Sequence, residues 1–210
     1  MERLVVFTDY ANVEAAFQTQ YIPLNHAHLL NYLSEGRFLV EAHIFVPIDP
    51  RNPTGRDAII EQLWEHNYVV HSKVGMVAND TYRCDFDIEI VLEMMRTAEI
   101  VKPDIVVLVS GDKDFIPAVL ELRRRGIRVE VAAIPYVNAA HEMQLKASGF
   151  IDLNRYAQAR DHDATDDDEN DADAMDGDDV QPPWETGEAT ITPNINNGGL
   201  GYAAATFNLD

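Results

Sequence analysis

Two short, unbroken apolar runs constrain this chain most: Leu4-Val5-Val6-Phe7 near the start, and the stretch 104–109, which is apolar from Ile105 to Val109. A strand with one wet face alternates polar and apolar side chains, so an unbroken run of this length marks a strand buried on both faces. A sheet covered on both sides is a parallel sheet, with helices as crossovers. The rest of the chain supplies them. Helical patterns are expected over 12–17 and 25–34, with Gly36 as a C-terminal stop, and a second strand over 37–46. Pro47, Pro50 and Pro53 break the chain before a helix over 55–66 and a third strand over 68–71. Residues 72–83 are polar and read as a loop. A helix over 85–100, the strand over 104–109, a helix over 114–125 ended by Gly126, a strand over 128–133, a helix over 138–147 and a short run at 150–153 complete the pattern. The expected fold class is α/β, with an open, mainly parallel central sheet in a three-layer domain.

Charge divides the chain in two. Residues 1–160 hold all 16 Lys and Arg against 22 Asp and Glu, a balance of −6, whereas residues 161–210 hold no cation and carry −14. The domain is therefore expected over 1–160, followed over 161–210 by an acidic tail of low complexity that cannot pack and stays disordered. Trp184 and the segment 198–202 are the tail's candidates for binding a protein partner. A protein that met nucleic acid with its whole surface would be basic. This one is not, so any nucleic-acid contact must be local. The single cysteine, Cys84, excludes an internal disulfide and a multi-cysteine zinc site. No secretory leader opens the sequence and no apolar run reaches the ~20 residues of a membrane helix, so the expectation is a cytoplasmic protein without a membrane partner.

In open α/β sheets, sites form beyond the C-terminal ends of the strands. Asp9 ends the first run, Asp112 follows the strongest strand by three residues, and Asp114 lies two beyond it. Asp87 stands in the first turn of its helix. Three separate regions thus send carboxylates toward one crevice, provided the first strand and the strand at 104–109 are neighbours. Crowded carboxylates repel and raise one another's pKa, which makes a cation their natural partner. An all-oxygen set without a well-placed Cys or His suits Mg²⁺ or Mn²⁺ better than zinc.

Each acid also has a plainer reading. Asp9 can start a turn, and Asp114 can cap the helix that contains Pro117. Asp85, Glu89 and Glu93 fall on one helical stripe, and Asp87 lies off it because a helix turns ~100° per residue. Asp87 is accordingly the site-like member, with Ile88, Val91 and Met95 expected to face the core. Arg123-Arg124-Arg125 sits where cations offset a helix dipole.

At these positions the chain resembles the NYN domain family, the LabA-like branch of the PIN-like nucleases. Phe7-Thr8-Asp9-Tyr10-Ala11-Asn12 is similar to the family's first motif, a strand closing on Asp-x-x-Asn. Cys84-Asp85-Phe86-Asp87-Ile88 resembles the middle motif, and Ser110-Gly111-Asp112-Lys113-Asp114-Phe115 the most specific one. The resemblance spans 4–153. It implies a PIN-like Rossmannoid domain, divalent-metal binding and RNA cleavage. Asp9, Asp87, Asp112 and Asp114 become metal or catalytic groups, and Asn12 and Ser110 organise the site. Glu93 stands where the family often has Asp. Arg83 and Lys113 are the nearest cations to meet a substrate phosphate.

The function these features favour is a Mg²⁺- or Mn²⁺-dependent ribonuclease, endonucleolytic, acting on phosphodiester bonds. The competing class is a non-catalytic RNA-binding or regulatory module that keeps the fold and recruits partners through the tail. A phosphohydrolase with a phospho-aspartate nucleophile is disfavoured, since the first strand lacks Asp-x-Asp.

Overall fold

The computed structural model describes residues 1–79 and 81–158, so the tail expected over 161–210 lies outside the described residues. In chain order the elements are β1 (Arg3–Asp9), α1 (Tyr10–Thr19), α2 (His26–Ser34), β2 (Phe38–Ile48), α3 (Asp57–Glu65), β3 (Tyr68–Val74), β4 (Met76–Ala78) and β5 (Thr81–Arg83). They continue with α4 (Asp87–Ile100), β6 (Ile105–Val109), a single 3-10 turn (Lys113–Phe115), α5 (Ile116–Arg124), β7 (Arg128–Ala133), α6 (His141–Lys146) and β8 (Gly149–Asp152).

The central sheet runs β3-β2-β1-β6-β7-β8, and every pairing in it is parallel. Alternate residues of the apolar runs feed opposite faces. Leu4, Val6, Ile105, Val107 and Val109 pack with Tyr10, Val13 and Phe17 of α1, Leu29 and Leu33 of α2, and Leu63 of α3. Val5, Phe7, Val106 and Leu108 pack on the other face with Ile90 and Met94 of α4, Val119 and Leu122 of α5, and Met143 of α6. Helices on both faces explain why the interior of β1 and β6 is apolar apart from the buried Thr8: each buried Val, Leu or Phe contributes about 1.5–3 kcal/mol.

The chain leaves β1 for β2 and β3 on one side, then crosses by α4 to β6 on the other side of β1. Thr8 pairs with Val109, so the two strands finish side by side. This reversal opens a crevice above their C-terminal ends, where α/β sheets place their ligands.

Four local expectations change. Residues 72–83 are not a loop: β3 continues to Val74, and β4 pairs antiparallel with β5 around a turn at Asn79, whose φ is +50°. Asn tolerates that left-handed conformation, and the flanking Met76-Val77 and Thr81-Tyr82 are strand formers. Ile88 is 73% exposed rather than core-facing. The buried stripe of α4 is Ile90, Met94, Thr97 and Ala98, and Ile88 lies two residues, half a turn, away from Ile90. Asp114 does not cap α5, whose N-cap position is Phe115 with no side-chain cap bond; Asp112 caps the preceding 3-10 turn instead, accepting from the Asp114 backbone N–H at 3.0 Å. The helix expected over 138–147 begins at His141, not Asn138, since the Asn138 side chain folds back to accept from the Ile134 N–H.

One buried group makes the fold acid-sensitive. His26 opens α2 beneath Tyr10 and against Tyr68, with ring centroids at 5.5 Å and 6.3 Å. Its Nδ1 has no hydrogen-bond partner among the described residues. Burial, above all, pushes this imidazole down to about 4, with the Glu14 charge opposing and His66 reinforcing. The unfolded chain binds that proton near pH 6.5, so the stability is complete above 6.5 and drains away as pH falls toward 4. About 2 kcal/mol should be gone at pH 5. Urea melts at pH 7 and pH 5 should show this loss in the wild type and a much smaller one in His26→Phe; parallel losses in the two proteins would rule out His26 as the cause.

Candidate functional site

The site is built on three chain segments held at the C-terminal end of the sheet. Asp9 ends β1 and caps α1, its Oδ1 accepting from the Asn12 N–H at 3.2 Å. Its Oδ2 accepts from the Ser110 hydroxyl at 3.3 Å, and the same Oγ accepts from the Asp112 N–H at 3.3 Å. One carboxylate thus both caps α1 and ties β1 to the loop after β6. Ser110 is fully buried and ties the end of β1 to the loop after β6.

Asp87 arrives from the third segment. Asp85 fixes the start of α4 by accepting from the Asp87 N–H at 2.8 Å, and Lys73 on β3 donates both to the Asp85 carbonyl and to Glu89, each at 2.5 Å. Lys73 also lies over the Phe86 ring, 4.8 Å from its centroid. These contacts pin the helix N-terminus, so Asp85 and Lys73 position Asp87 rather than join it. Glu93 is further along α4 and pairs with Arg96 at 3.6 Å.

One carboxylate oxygen from each of Asp87, Asp112 and Asp114 lies within 4.8 Å of the other two. Asp9 stands beside this trio rather than within it, but electrostatics link it to Asp87 and Asp112. The Asp87 carboxyl is raised to about 6, by burial first and then by the charges of Asp85, Asp112 and Asp9. Asp9 is raised as well: burial is the largest cause, the hydrogen bonds from Asn12 and Ser110 oppose it, and the Asp112 charge adds to it. The acids thus repel as the sequence implied, and the repulsion reaches across segments nearly 80 residues apart. A hard divalent cation fits this all-oxygen set, and Asp87, Asp112 and Asp114 are the residues that would hold it.

Asn12 organises the crevice from the far side. Its Oδ1 accepts from the Gly111 N–H at 3.2 Å and from the Asn138 amide at 2.6 Å. Ala140 N–H in turn donates to the Gly111 carbonyl at 3.0 Å. Asn138 and the loop 134–140 escaped sequence reasoning, although that loop leaves the C-terminal end of β7, next to β6, where the crevice rule would have directed attention. Tyr136, Lys113 and Asp112 line a cavity of about 380 Å³ together with Asn12, Gly111 and Asn138.

Of the two cations expected near a substrate, Lys113 is exposed on the rim beside Asp112, and Arg83 is exposed at the end of β5, four residues before Asp87. Neither forms an ion pair among the described residues. Arg124 and Arg125 are paired with Glu121, and Arg123 donates to the Lys146 carbonyl, so the arginine run serves the helix end and not the site. No described helix is long and apolar enough to cross a membrane.

Comparison with known proteins agrees with this architecture. The chain is 31% identical over 163 residues to the low amplitude and bright protein LabA of Synechococcus elongatus, an alignment covering 72% of this chain and 84% of LabA. A crystal structure of a protein of unknown function, VPA0982 of Vibrio parahaemolyticus, superposes with a TM-score of 0.62 at 21% identity, covering 72% of this chain and 93% of that one; it supports the fold alone. The NYN domain model matches residues 3–154, the span that holds the whole central sheet and every carboxylate of the cluster, and the chain belongs to the NYN domain family.

Proposed function

We propose that this protein is a divalent-metal-dependent ribonuclease that cuts RNA internally, with Asp87, Asp112 and Asp114 as the ligands of Mg²⁺ or Mn²⁺ and Asp9 as a further catalytic carboxylate. The observation that carries the reading is the approach of three carboxylates from two segments to within 4.8 Å, with Asp9 beside them, in an NYN fold. Such a cluster is costly without a cation. Mg²⁺ or Mn²⁺ held there would supply charge stabilisation at phosphorus and a lowered pKa for the attacking water.

The protein's own groups do the rest. Ser110 and the Asn12 N–H hold the Asp9 carboxylate in one orientation, facing the crevice shared with Asp112. Asn12 fixes Gly111, and through it the backbone that carries Asp112 and Asp114. Lys113, beside Asp112, and Arg83, four residues before Asp87, are the exposed cations that would fix the register of a phosphate backbone without reading its sequence. RNA as the substrate rests on family membership, and the modest charge of the domain favours a contact confined to this crevice.

The deciding experiment is cleavage of a labelled single-stranded RNA by the full chain with Mn²⁺, with EDTA, and by Asp9→Asn. Cleavage should need the metal and fall by roughly 10²-fold in the variant, the loss typical of a misplaced catalytic group. Equal cleavage with EDTA, or by Asp9→Asn, sinks the proposal. RNA binding without cleavage and without heat on Mn²⁺ titration would favour the non-catalytic module instead.

A further inference from the structure

The loop between β7 and α6 is fastened more tightly than a connection requires. The Ile134 carbonyl accepts from the N–H groups of Val137, Asn138 and Ala139 at 3.2, 3.2 and 3.3 Å, and its N–H donates to Asn138 Oδ1 at 2.9 Å. The loop is then bolted to the acid-bearing segments through Asn138 to Asn12 and through Ala140 to Gly111.

At its apex is Tyr136, with φ +63° and its side chain wholly in water at 103% relative exposure. A bulky L-residue in the left-handed region costs about 1–2 kcal/mol, and Gly or Asn would hold the turn more cheaply. The hydrogen bonds that fasten the loop hold this conformation, while the ring itself packs against no other aromatic group among the described residues. The loop therefore presents an aromatic face at the mouth of the cavity of about 380 Å³ whose other walls include Asp112, Lys113 and Asn12. Such a volume is in the range of small-ligand sites. An aromatic ring on which a base can stack and a neighbouring ammonium that can meet a phosphate are two of the elements by which proteins hold single-stranded nucleic acid, and here both border the groove beside Asp112.

We infer that this groove is a nucleobase subsite: a base of single-stranded RNA next to the scissile phosphate stacks on the Tyr136 ring, while Lys113 meets a backbone phosphate. The inference rests on the ribonuclease reading of the acidic cluster and adds the part of the substrate that reading leaves unbound. Every base has a π-face, so the subsite tolerates sequence. It discriminates against duplex, whose bases are already stacked and unavailable.

The test uses the full chain and a 12-nucleotide single-stranded RNA carrying the fluorescent base 2-aminopurine at one position at a time, with Ca²⁺ present so that binding is read apart from cleavage. Wild type and Tyr136→Phe should quench the fluorophore at one position, and Tyr136→Ala should lose that quenching and bind roughly 5- to 100-fold more weakly, the loss of one stacked base. Tyr136→Ala should melt no lower than the wild type, which separates a lost platform from a damaged loop. Unchanged affinity and unchanged quenching in Tyr136→Ala overturn the subsite while leaving the cleavage reading standing. Tyr136-dependent quenching in a protein that never cleaves RNA with Mn²⁺ supports the subsite and overturns the nuclease reading. No RNA binding by the wild type overturns both.

Discussion

Asparagine in place of Asp112 should lower metal-dependent RNA cleavage by roughly 10³-fold, the size expected when several kcal/mol of charge stabilisation is removed. Asp112 is singled out because it belongs to the trio with Asp87 and Asp114 and its charge also acts on Asp9. The substitution leaves Oδ1 in place, so the cap on the Asp114 N–H at 3.0 Å survives and the loop keeps its path. Removing one negative charge relieves repulsion on Asp87 and Asp9, so the metal-free variant should melt at or above the wild-type temperature. Added Mn²⁺ should separate the two again. A ligand at 100 times its Kd stabilises a folded protein by about 2.7 kcal/mol, and only the wild type should show the corresponding rise in Tm. The measurements are a cleavage rate and thermal melts with and without Mn²⁺. A variant that melts normally and is stabilised by Mn²⁺ as much as the wild type would remove Asp112 from the metal centre.

The second large effect concerns a residue with no side chain. A Cβ on Gly111 would lie 2.0 Å from the Asn138 carbonyl oxygen, 2.5 Å from its carbon and 2.6 Å from Ala139 Cα. All three are backbone atoms, so no rotamer change relieves the clash, and either β6's following loop or the 134–140 loop must shift. Such a shift breaks hydrogen bonds from Gly111 N–H to Asn12, from Asn138 to Asn12 and from Ala140 to the Gly111 carbonyl. Overpacking together with the lost bonds should cost Gly111→Ala about 3 kcal/mol in urea denaturation. Cleavage should fall by roughly 10²-fold beyond any loss of folded protein, since displacing reactive groups by about 1 Å has that consequence. Gly149→Ala is the control, because its added Cβ would meet only the Glu130 side chain at 3.4 Å. If Gly111→Ala unfolds and cleaves like this control, the packing of the two loops is not what holds the site.

How much of this was legible beforehand depends on the range of the interaction. The runs 4–7 and 105–109 announce strands buried on both faces because burial acts on each residue separately, and β1 and β6 indeed occupy the centre of the sheet. The preference for Asp87 over Asp85 came from helix phase and motif position; α4 begins only at Asp87, so Asp85 lies before the helix and off any stripe, while Asp87 approaches Asp112 and Asp114. Local phase failed for Ile88, since the true stripe of α4 is set by where Phe86 and Ile90 meet the sheet. It failed at residues 72–83 because polar composition hid a two-stranded ribbon whose only local signal is the turn at Asn79. Lys73 and Asn138 gave no signal of their own type; each matters through the partner it meets.

The α/β class, the parallel sheet and the place of Asp9, Asp112 and Asp114 at one end of it were legible in contiguous residues, because strand burial and motif spacing are local properties. Only the tertiary structure decided that Asp87 closes on Asp112 and Asp114 while Asp9 stands beside them, and that the loop from β7 forms the far wall of the crevice. Those outcomes depend on which strands lie side by side and on contacts between distant residues, from Asp87 with Asp112 to Asn12 with Asn138, and such contacts are set by the packing of whole elements rather than by the pattern within any one of them.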